Sequence, residues 1–300
     1  MVSQKKEPNF IIIGSCAGGT SFLSSILIQH TNIYLPKIKR PEPNFFHYSH
    51  KYKKGINFYI KQYFSEVKKE KAIGERSSLL LTSKVAPNRL YKHVPKIKII
   101  ATLRNPIERA WANYRFTCLE GLEENKFINS LKKKYYYKSK FWREVAPHAY
   151  IKRSLYSNSI KKFISLFGKK KVLLIKSEDL NNNTKKEIEK VCKFLKVSKD
   201  FKFNRPPSFT SPNVKNLKVQ KKLRKKYGDN FYKIIEQIRK GKLNSKKFND
   251  IKQNITFEKK NIDKNSRVYL NKFLCRDIKK ISKYINFETN DWKWKIKKKT

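Results

Sequence analysis

The sequence contains few cysteines, and their positions exclude several classes of site. The 300 residues include four, Cys16, Cys118, Cys192 and Cys275, which lie far apart along the chain. They form no Cys-x-x-Cys pair and no zinc-type spacing. We therefore expect no metal site and no disulfide framework, which fits a reducing compartment.

Long apolar runs are also missing. The longest, such as Phe10–Ile13 and Ile99–Leu103, are far too short to span a bilayer. Residues 1–7 lack the apolar stretch of a signal peptide. We therefore predict a soluble, cytoplasmic protein. Hydrophobic residues still make up 39% of the chain and aromatic residues 13%, enough to build a substantial core and to argue against a disordered chain.

Acidic residues are scarce relative to basic ones. There are 72 Lys and Arg against 23 Asp and Glu, a net charge of +49. Such a charge favours polyanionic partners, including nucleic acids, acidic lipids, anionic glycans and phosphorylated nucleotides. Lys, Asn and Ile, which share A/T-rich codons, are all abundant, so codon bias explains the charge at least as well as selection for an anionic ligand. A nucleic-acid-binding module is suggested by charge alone, because the sequence contains no recognition motif for it.

Apolar runs alternate with helical spacing through the first two thirds of the chain. Strands are predicted at Phe10–Ile13, Lys71–Glu75, Lys96–Leu103 and Lys171–Ile175. Helices lie between them, including an amphipathic helix at Tyr52–Phe64 and a short helix at Ala86–His93. This alternation predicts an α/β fold with a parallel sheet.

The character of the sequence changes after Pro206. Residues 216–260 are very basic with weak periodicity, and a clear helical pattern returns at Arg267–Ile285. We predict a single domain over residues 1–300, with a core at 8–205 and a basic helical C-terminal part at 206–300.

A glycine-containing loop joins the first strand to the first helix. It reads Gly14-Ser15-Cys16-Ala17-Gly18-Gly19-Thr20-Ser21. In this context, backbone N–H groups of the loop and of the helix N-terminus converge on an anion. Thr20 stands where a nucleotide-hydrolysing P-loop has lysine, which disfavours a kinase or NTPase. A purely structural strand–loop–helix corner is the alternative.

A second element begins where another strand ends. It reads Leu103-Arg104-Asn105-Pro106-Ile107-Glu108-Arg109-Ala110-Trp111-Ala112-Asn113-Tyr114. Arg104 is expected at the carboxyl edge of the sheet, where parallel α/β folds bind ligands. Its guanidinium suits two-pronged binding of a phosphate. We interpret Arg109 as a surface residue or a helix-capping partner of Glu108.

These two elements resemble the signatures of the nucleotide-dependent sulfotransferases, in particular the bacterial and heparan-type carbohydrate sulfotransferases. The first signature has the pattern G-x-x-[KR]-x-G-T-[TS]-x-L, matched at residues 14–23. The second has the pattern L-R-[DN]-P-x-x-R-A-[YW]-S-x-Y, matched at residues 103–114. Weaker similarities occur at residues 42–46, 74–77 and 175–180 and in the helix that runs to Trp292.

The resemblance implies a P-loop-like parallel sheet flanked by helices and a PAPS-dependent sulfotransferase. Such an enzyme moves a sulfuryl group from 3′-phosphoadenosine 5′-phosphosulfate (PAPS), a co-substrate, to a hydroxyl or amine of a glycan or other acceptor, without a metal. Nucleic acid is not an expected partner. The donor site would comprise Ser15, Cys16, Ala17, Gly18, Gly19, Thr20, Ser21 and Arg104.

The resemblance also implies catalytic roles for two neighbouring residues. Glu75 would be the general base that takes the acceptor's proton, and Arg76 would supply a cation. An alternative for Glu75 is a structural carboxylate paired with Arg76 or a nearby lysine. His47 is the alternative base.

Two positions depart from the family pattern. Ala17 replaces the loop's Lys or Arg, whose charge faces the leaving phosphate, and losing such a cation would slow transfer by ~10²–10³-fold. Ala112 replaces the serine that contacts the 3′-phosphate. Arg76 is our preferred replacement cation, with Lys37, Lys39 and Arg40 as further candidates. A catalytically degenerate protein that binds a nucleotide or polyanion is therefore the alternative function.

Overall fold

A parallel sheet is formed by strands within residues 10–176 of the structure, a computed structural model that describes residues 7–37, 42–206, 212–239, 248–258 and 260–292. Its strands are β1 (Phe10–Gly14), β2 (Ile33–Tyr34), β3 (Ala72–Arg76), β4 (Lys98–Leu103) and β5 (Val172–Lys176). They are hydrogen-bonded in the order β2-β3-β1-β4-β5, and every pairing is parallel. The predicted α/β fold class with a parallel sheet is confirmed.

Helices fill the connections between strands and most of the C-terminal part. In chain order they are α1 Thr20–Leu27, α2 Ser49–Tyr52, α3 Gly55–Phe64, α4 Ala86–His93, α5 Pro106–Leu119, α6 Phe127–Lys132, α7 Lys140–Val145, α8 Ser157–Phe167, α9 Ser177–Asn182, α10 Thr184–Leu195, α11 Leu217–Tyr227, α12 Asn230–Arg239, α13 Asn249–Gln253 and α14 Lys264–Ile281. A short antiparallel pair joins β6 (Asn213–Val214) to β7 (Ile255–Thr256).

The chain divides into two compact units. The sheet unit comprises Met1–Pro106, Leu155–Pro206 and Arg276–Lys293, and the helical unit comprises Ile107–Ser154 and Pro207–Cys275. A single domain over residues 1–300 stays a prediction.

Strand β1 is the centre of the sheet unit, and all five of its residues are buried. On one face, Phe10 and Ile12 belong to a core cluster with α1 and α10, which contribute Leu23, Ile26 and Val191 among others. Because side chains alternate along a strand, Ile11 and Ile13 point to the opposite face, where they too have no exposed surface. Burial on both faces explains the continuous apolar run in the sequence.

The predicted boundaries agree best where the apolar pattern is strong. Helix α4 occupies the predicted residues, and β1 extends one residue beyond its prediction. The predicted helix over 52–64 is instead divided between α2 and α3, which begins at Gly55 with φ of 81°. In the basic region, where the sequence indicates only weak periodicity, the structure contains α11 and α12.

The interpretation of Arg109 as a surface or helix-capping residue is wrong. Arg109 is fully buried in the helical unit, where its guanidinium donates to Ser154 Oγ at 2.7 Å, to Asn113 Oδ1 at 3.1 Å and to the Tyr150 carbonyl. Glu108 pairs with Arg267 instead, at 2.9 Å. The neighbouring positions face different directions because successive residues on a helix are rotated by about 100°.

We expect Arg109→Met to lower the free energy of unfolding by about 3 kcal/mol, because three buried acceptors lose a charged donor. The matched control is Arg267→Met, which removes a partly exposed ion pair and should cost less than about 1 kcal/mol. Guanidinium denaturation of both variants measures the difference. Equal losses in the two variants would contradict a structural role for Arg109.

Candidate functional site

The loop between β1 and α1 lies against the end of strand β4. The backbone N–H and the hydroxyl of Ser15 both donate to the carbonyl of Thr102, at 2.8 and 2.9 Å. Because β1 and β4 are paired in parallel, their carboxyl ends meet at one edge of the sheet. Arg104 follows Thr102 by two residues. The structure therefore places the loop and Arg104 at the same edge.

Helix α1 presents an open N-terminus at this edge. Its N-cap is Gly19, which has φ of 93° and no side chain to cap the helix. Within an α-helix, the first-turn N–H groups of Thr20, Ser21 and Phe22 have no intrahelical acceptor. The first turn also contains no acidic residue. Such a terminus is suited to an anion through its N–H groups and its dipole.

Gly18 allows the loop to turn tightly over β4. A Cβ atom at this position would lie 2.1 Å from Ser15 Oγ and 3.0 Å from the carbonyl oxygens of Ser15 and Thr102. The Gly18 N–H also donates to the Ser15 carbonyl at 2.9 Å. The shape of the loop therefore depends on the absence of a side chain at this position.

The side chain of Arg76 reaches the first turn of α1. Its guanidinium donates to Ser21 Oγ at 2.8 Å and to Glu42 Oε1 at 2.6 Å. The second oxygen of Glu42 accepts from the backbone N–H and the hydroxyl of Ser78, at 2.7 and 2.6 Å. We call this arrangement of Glu42, Arg76 and Ser78 the carboxylate clamp. It holds a positive charge beside the open end of α1.

The other candidate cations are placed differently. Ala17 has a left-handed backbone with φ of 63°, and its methyl group brings no charge to the loop. Lys37 is exposed. Lys39 and Arg40 lie outside the described residues. Arg76 is thus the sequence-predicted cation that the structure brings to the loop.

Glu75 points away from Arg76, as expected for adjacent residues of a strand. Its carboxylate is fully buried and accepts hydrogen bonds from the hydroxyls of Ser77, at 2.7 and 2.9 Å, and Tyr59, at 3.2 Å. The ion pair of Arg76 goes to Glu42 rather than to Glu75. Burial raises the pKa of Glu75 to about 8, although the Ser77 and Tyr59 hydrogen bonds oppose the shift.

The remaining candidates occupy separate environments. His47 lies in the turn before α2, with its ring 5.1 Å from that of Tyr48. The segment carrying Arg104 is fixed by its neighbours, because the Arg104 carbonyl accepts from Tyr156 Oη at 3.0 Å and the Asn105 N–H donates to Glu178 at 2.8 Å. Ala112 lies on α5, in the helical unit.

Sequence reasoning missed Glu42 and Ser78 as partners of Arg76. The segment around Glu42 carries a family-like pattern, so the sequence marks it as notable. Its contact with Arg76 spans 34 residues of chain. Side-chain pairs at such separations have no local signal.

The described residues contain neither a metal-binding cluster nor a helix able to span a membrane. Among the described residues, His, Cys, Asp and Glu side chains form no group of three or more that could hold a metal ion. Within the part of the chain that the structure covers, no helix combines the length and apolar character needed to cross a membrane.

The fold and this corner define a parallel α/β protein with an uncapped helix N-terminus and a guanidinium at the carboxyl edge of its sheet. Residues 7–280 match the sulfotransferase domain family, and the chain therefore belongs to that family. The family resemblance predicted from the two signatures is confirmed.

Three known proteins illustrate this relationship. The chain is 30% identical over 121 residues to "Membrane-associated sulfotransferase kil1" of Dictyostelium discoideum, covering 40% of the chain and 25% of the relative. It is 27% identical over 217 residues to "Heparan sulfate glucosamine 3-O-sulfotransferase 5" of Mus musculus, covering 69% and 56%. The chain thus spans a quarter and just over half of the length of these relatives.

The crystal structure of a sulfotransferase from Alicyclobacillus acidocaldarius shares the fold, with a TM-score of 0.69 and 22% identity over 95% of this chain and 98% of that one.

We expect Gly18→Ala to abolish anion binding at the loop, because the added methyl group displaces Ser15 from Thr102. Ala17→Gly is the matched control, since glycine adopts the left-handed backbone at residue 17 without strain and should change stability by less than about 1 kcal/mol. Calorimetric titration with adenosine 3′,5′-bisphosphate measures binding. Full affinity in Gly18→Ala would show that the loop does not form the site.

Proposed function

We propose that this chain transfers a sulfuryl group from PAPS to a hydroxyl or amine of a carbohydrate. The observation that carries the proposal is the contact between Arg76 and Ser21, which places a cation at the open N-terminus of α1 although the loop has Ala17. Membership of the sulfotransferase domain family supports the reaction class. The relative named as a heparan sulfate glucosamine 3-O-sulfotransferase supports a carbohydrate acceptor.

The donor's phosphates would be held by the loop and by Arg104. The first-turn N–H groups of α1 and the hydroxyls of Thr20 and Ser21 supply donors, and Arg104 at the end of β4 supplies a planar cation for the second phosphate. Between Cys16 and Gly19 the loop carries no side chain larger than a methyl group, which would allow a phosphate to approach its backbone closely. In this proposal Arg76 replaces the missing loop cation and stabilises the charge that grows on the leaving phosphate.

Transfer would proceed by in-line displacement. The acceptor oxygen or nitrogen forms a bond to sulfur, the bond from sulfur to the bridging phosphate oxygen breaks, and adenosine 3′,5′-bisphosphate leaves with the electron pair. The acceptor's proton goes to Glu75. Both the carboxylate and the Ser77 side chain are fully buried, so the acceptor would have to reach the Ser77 hydroxyl, which lies 2.7 Å from one carboxylate oxygen and would relay the proton.

The elevated pKa of Glu75 predicts how the rate depends on pH. A general base acts in its ionised form, and the ionised fraction of a group with a pKa of about 8 rises with pH and levels off above that value. The rate constant at saturating substrates should therefore increase from pH 6, reach half its maximum near pH 8 and become constant above about pH 9. Glu75→Gln should lower it by ~10²–10⁴-fold and remove the pH dependence.

Glu42→Gln is the control for this prediction, because it makes the same carboxylate-to-amide change in the neighbouring clamp. It should alter the KM for the donor through Arg76 while leaving the rise with pH intact. If Glu42→Gln rather than Glu75→Gln removes the rise, Glu75 is not the base.

Donor binding is tested with adenosine 3′,5′-bisphosphate. Arg104→Gln should weaken binding by at least about tenfold, because a charged hydrogen-bond donor to phosphate is lost. Arg267→Gln, which changes the same charge in the helical unit, should leave the affinity unaltered. Adenosine 5′-monophosphate should bind more weakly than the bisphosphate to the unmodified chain. No measurable bisphosphate binding at millimolar concentration would overturn the proposal.

Whether the chain is a catalytically degenerate protein is tested by restoring the family residues at positions 17 and 112. If the chain is an active enzyme, Ala17→Lys combined with Ala112→Ser changes its transfer rate only modestly. If the unmodified chain binds the bisphosphate but transfers no sulfate, and the double variant gains activity, the protein is a binding protein that has lost its chemistry. That outcome would refute the enzymatic proposal while retaining the donor site.

A further inference from the structure

The segment between helices α6 and α7 turns alternate side chains toward solvent. Tyr135 and Tyr137 are half-buried, whereas Lys134, Tyr136 and Lys138 are exposed. This period of two is that of an extended chain, in which successive side chains point to opposite sides. The segment therefore has an inner side made of two tyrosines and an outer side made of one ring between two lysines.

The inner side fixes the segment to the rest of the helical unit. The hydroxyl of Tyr135 donates to the buried carboxylate of Glu123, and the Tyr135 ring stacks on that of His148 with centroids 3.9 Å apart. The hydroxyl of Tyr137 lies 2.8 Å from His148 Nδ1. These contacts hold the backbone on either side of Tyr136, whose own side chain is 88% exposed and adds little to the core.

Helix α7 continues the exposed surface. Ser139 caps the helix, because its hydroxyl accepts from the Trp142 N–H at 3.2 Å. Phe141 lies in the first turn and is 46% exposed. The guanidinium of Arg143 donates to the carbonyl of Lys138 at 3.1 Å, which ties the helix to the segment before it. A second ring is thus presented close in sequence to the first.

Cations flank both rings along the chain. We define the 134–143 surface by its exposed side chains, which are Lys134, Tyr136, Lys138, Lys140, Phe141 and Arg143. Lys133 is not included, because its ammonium group lies over the Tyr135 ring, 5.5 Å from the centroid. Residues 133–143 contain no acidic residue. The surface therefore combines two aromatic rings with four positive charges.

The exposure of the rings limits the kind of partner. A side chain as exposed as Tyr136 projects from the protein, so a partner must be able to close around it. The interface of a bilayer does so, because tyrosine and tryptophan rings settle at the level of the headgroups. Lys and Arg side chains reach charged headgroups while their methylene groups lie along apolar surface. Each basic residue close to an anionic membrane strengthens binding by roughly fivefold.

We propose that the 134–143 surface binds a bilayer that contains anionic lipids. A bilayer is favoured over a single-stranded nucleic acid, whose bases stack on rings that offer successive parallel faces. Here the Phe141 ring meets the neighbouring Trp142 ring edge-on, at an interplanar angle of 71°, so the two form no stacking platform. Phe141 also has no polar group, and it gains most from leaving water. Such binding does not depend on the reaction proposed above.

Sedimentation with lipid vesicles measures this binding. The unmodified chain should bind vesicles that mix phosphatidylcholine with phosphatidylglycerol more tightly than vesicles of phosphatidylcholine alone. Tyr136→Ser combined with Phe141→Ser should weaken binding to the mixed vesicles by about tenfold or more, because two rings no longer leave water. The matched control is Phe257→Ser, which removes a ring of the same unit that is 61% exposed and has Glu258 beside it. It should alter the affinity less than about twofold.

The role of the lysines is tested separately from that of the rings. Lys134→Gln combined with Lys138→Gln should weaken binding to the mixed vesicles by about tenfold or more. The matched control is Lys218→Gln combined with Lys222→Gln, which makes the same charge change at exposed positions of α11 in the same unit. It should alter the affinity less than about threefold, because exposed charges far from the contact are screened by salt.

Insertion of the ring is measured by fluorescence. Tyr136→Trp should be quenched by lipids brominated on their acyl chains more strongly than the unmodified chain, whereas Phe257→Trp should add no such quenching. Thermal denaturation verifies that each variant is folded. Should the variant with both serines unfold, Tyr136→Ser alone still decides the question, since that side chain is 88% exposed.

Four outcomes would overturn the proposal. Failure of the unmodified chain to bind the mixed vesicles would exclude the bilayer as a partner. Equal losses in the two double-lysine variants would mean that the vesicles respond to bulk charge. Unaltered vesicle binding in Tyr136→Ser/Phe141→Ser would exclude the rings. An affinity for a single-stranded RNA oligonucleotide that falls in this variant as far as the affinity for vesicles would assign the surface to nucleic acid instead.

Discussion

The contact between the Arg76 guanidinium and the Ser21 hydroxyl is the interaction on which the candidate site depends. Arg76 ends one strand, and Ser21 lies in the first turn of the helix that follows the neighbouring strand, so the contact joins two connections at the same edge of the sheet. Glu42 fixes the guanidinium from the other side, and Ser78 fixes Glu42. This chain of hydrogen bonds brings a guanidinium to the loop, whose own residues include no cation.

That arrangement has an electrostatic consequence. With no ligand, the charge of Arg76 is balanced by Glu42. An incoming phosphate would compete with that carboxylate for the same guanidinium, so Glu42 lowers the attraction of the site for anions while holding the cation in place. A lysine or arginine in the loop would carry no such built-in competitor. The substitution by Ala17 is therefore linked to the clamp, because both determine the positive potential at the N-terminus of α1.

The two structural units contain different features of the protein. The sheet unit holds the loop, the clamp, Glu75 and Arg104, and its apolar strands place them at one edge. The helical unit holds Ala112 and the buried Arg109.

The sequence by itself determined the class of fold and the position of the glycine-containing loop, because both follow from local patterns. Buried strands appear in the sequence as apolar runs, and apolar residues recur about every 3.6 residues in an amphipathic helix. A loop that follows a strand and precedes a helix must lie at the carboxyl edge of a parallel sheet. Tertiary structure alone decided the partners of Arg76, the burial of Arg109 and Glu75, and the helices of the basic region. Those features depend on side chains that are distant in sequence, such as Ser21 and Arg76, 55 residues apart. The order of the strands brings such residues together, and no local pattern encodes that order.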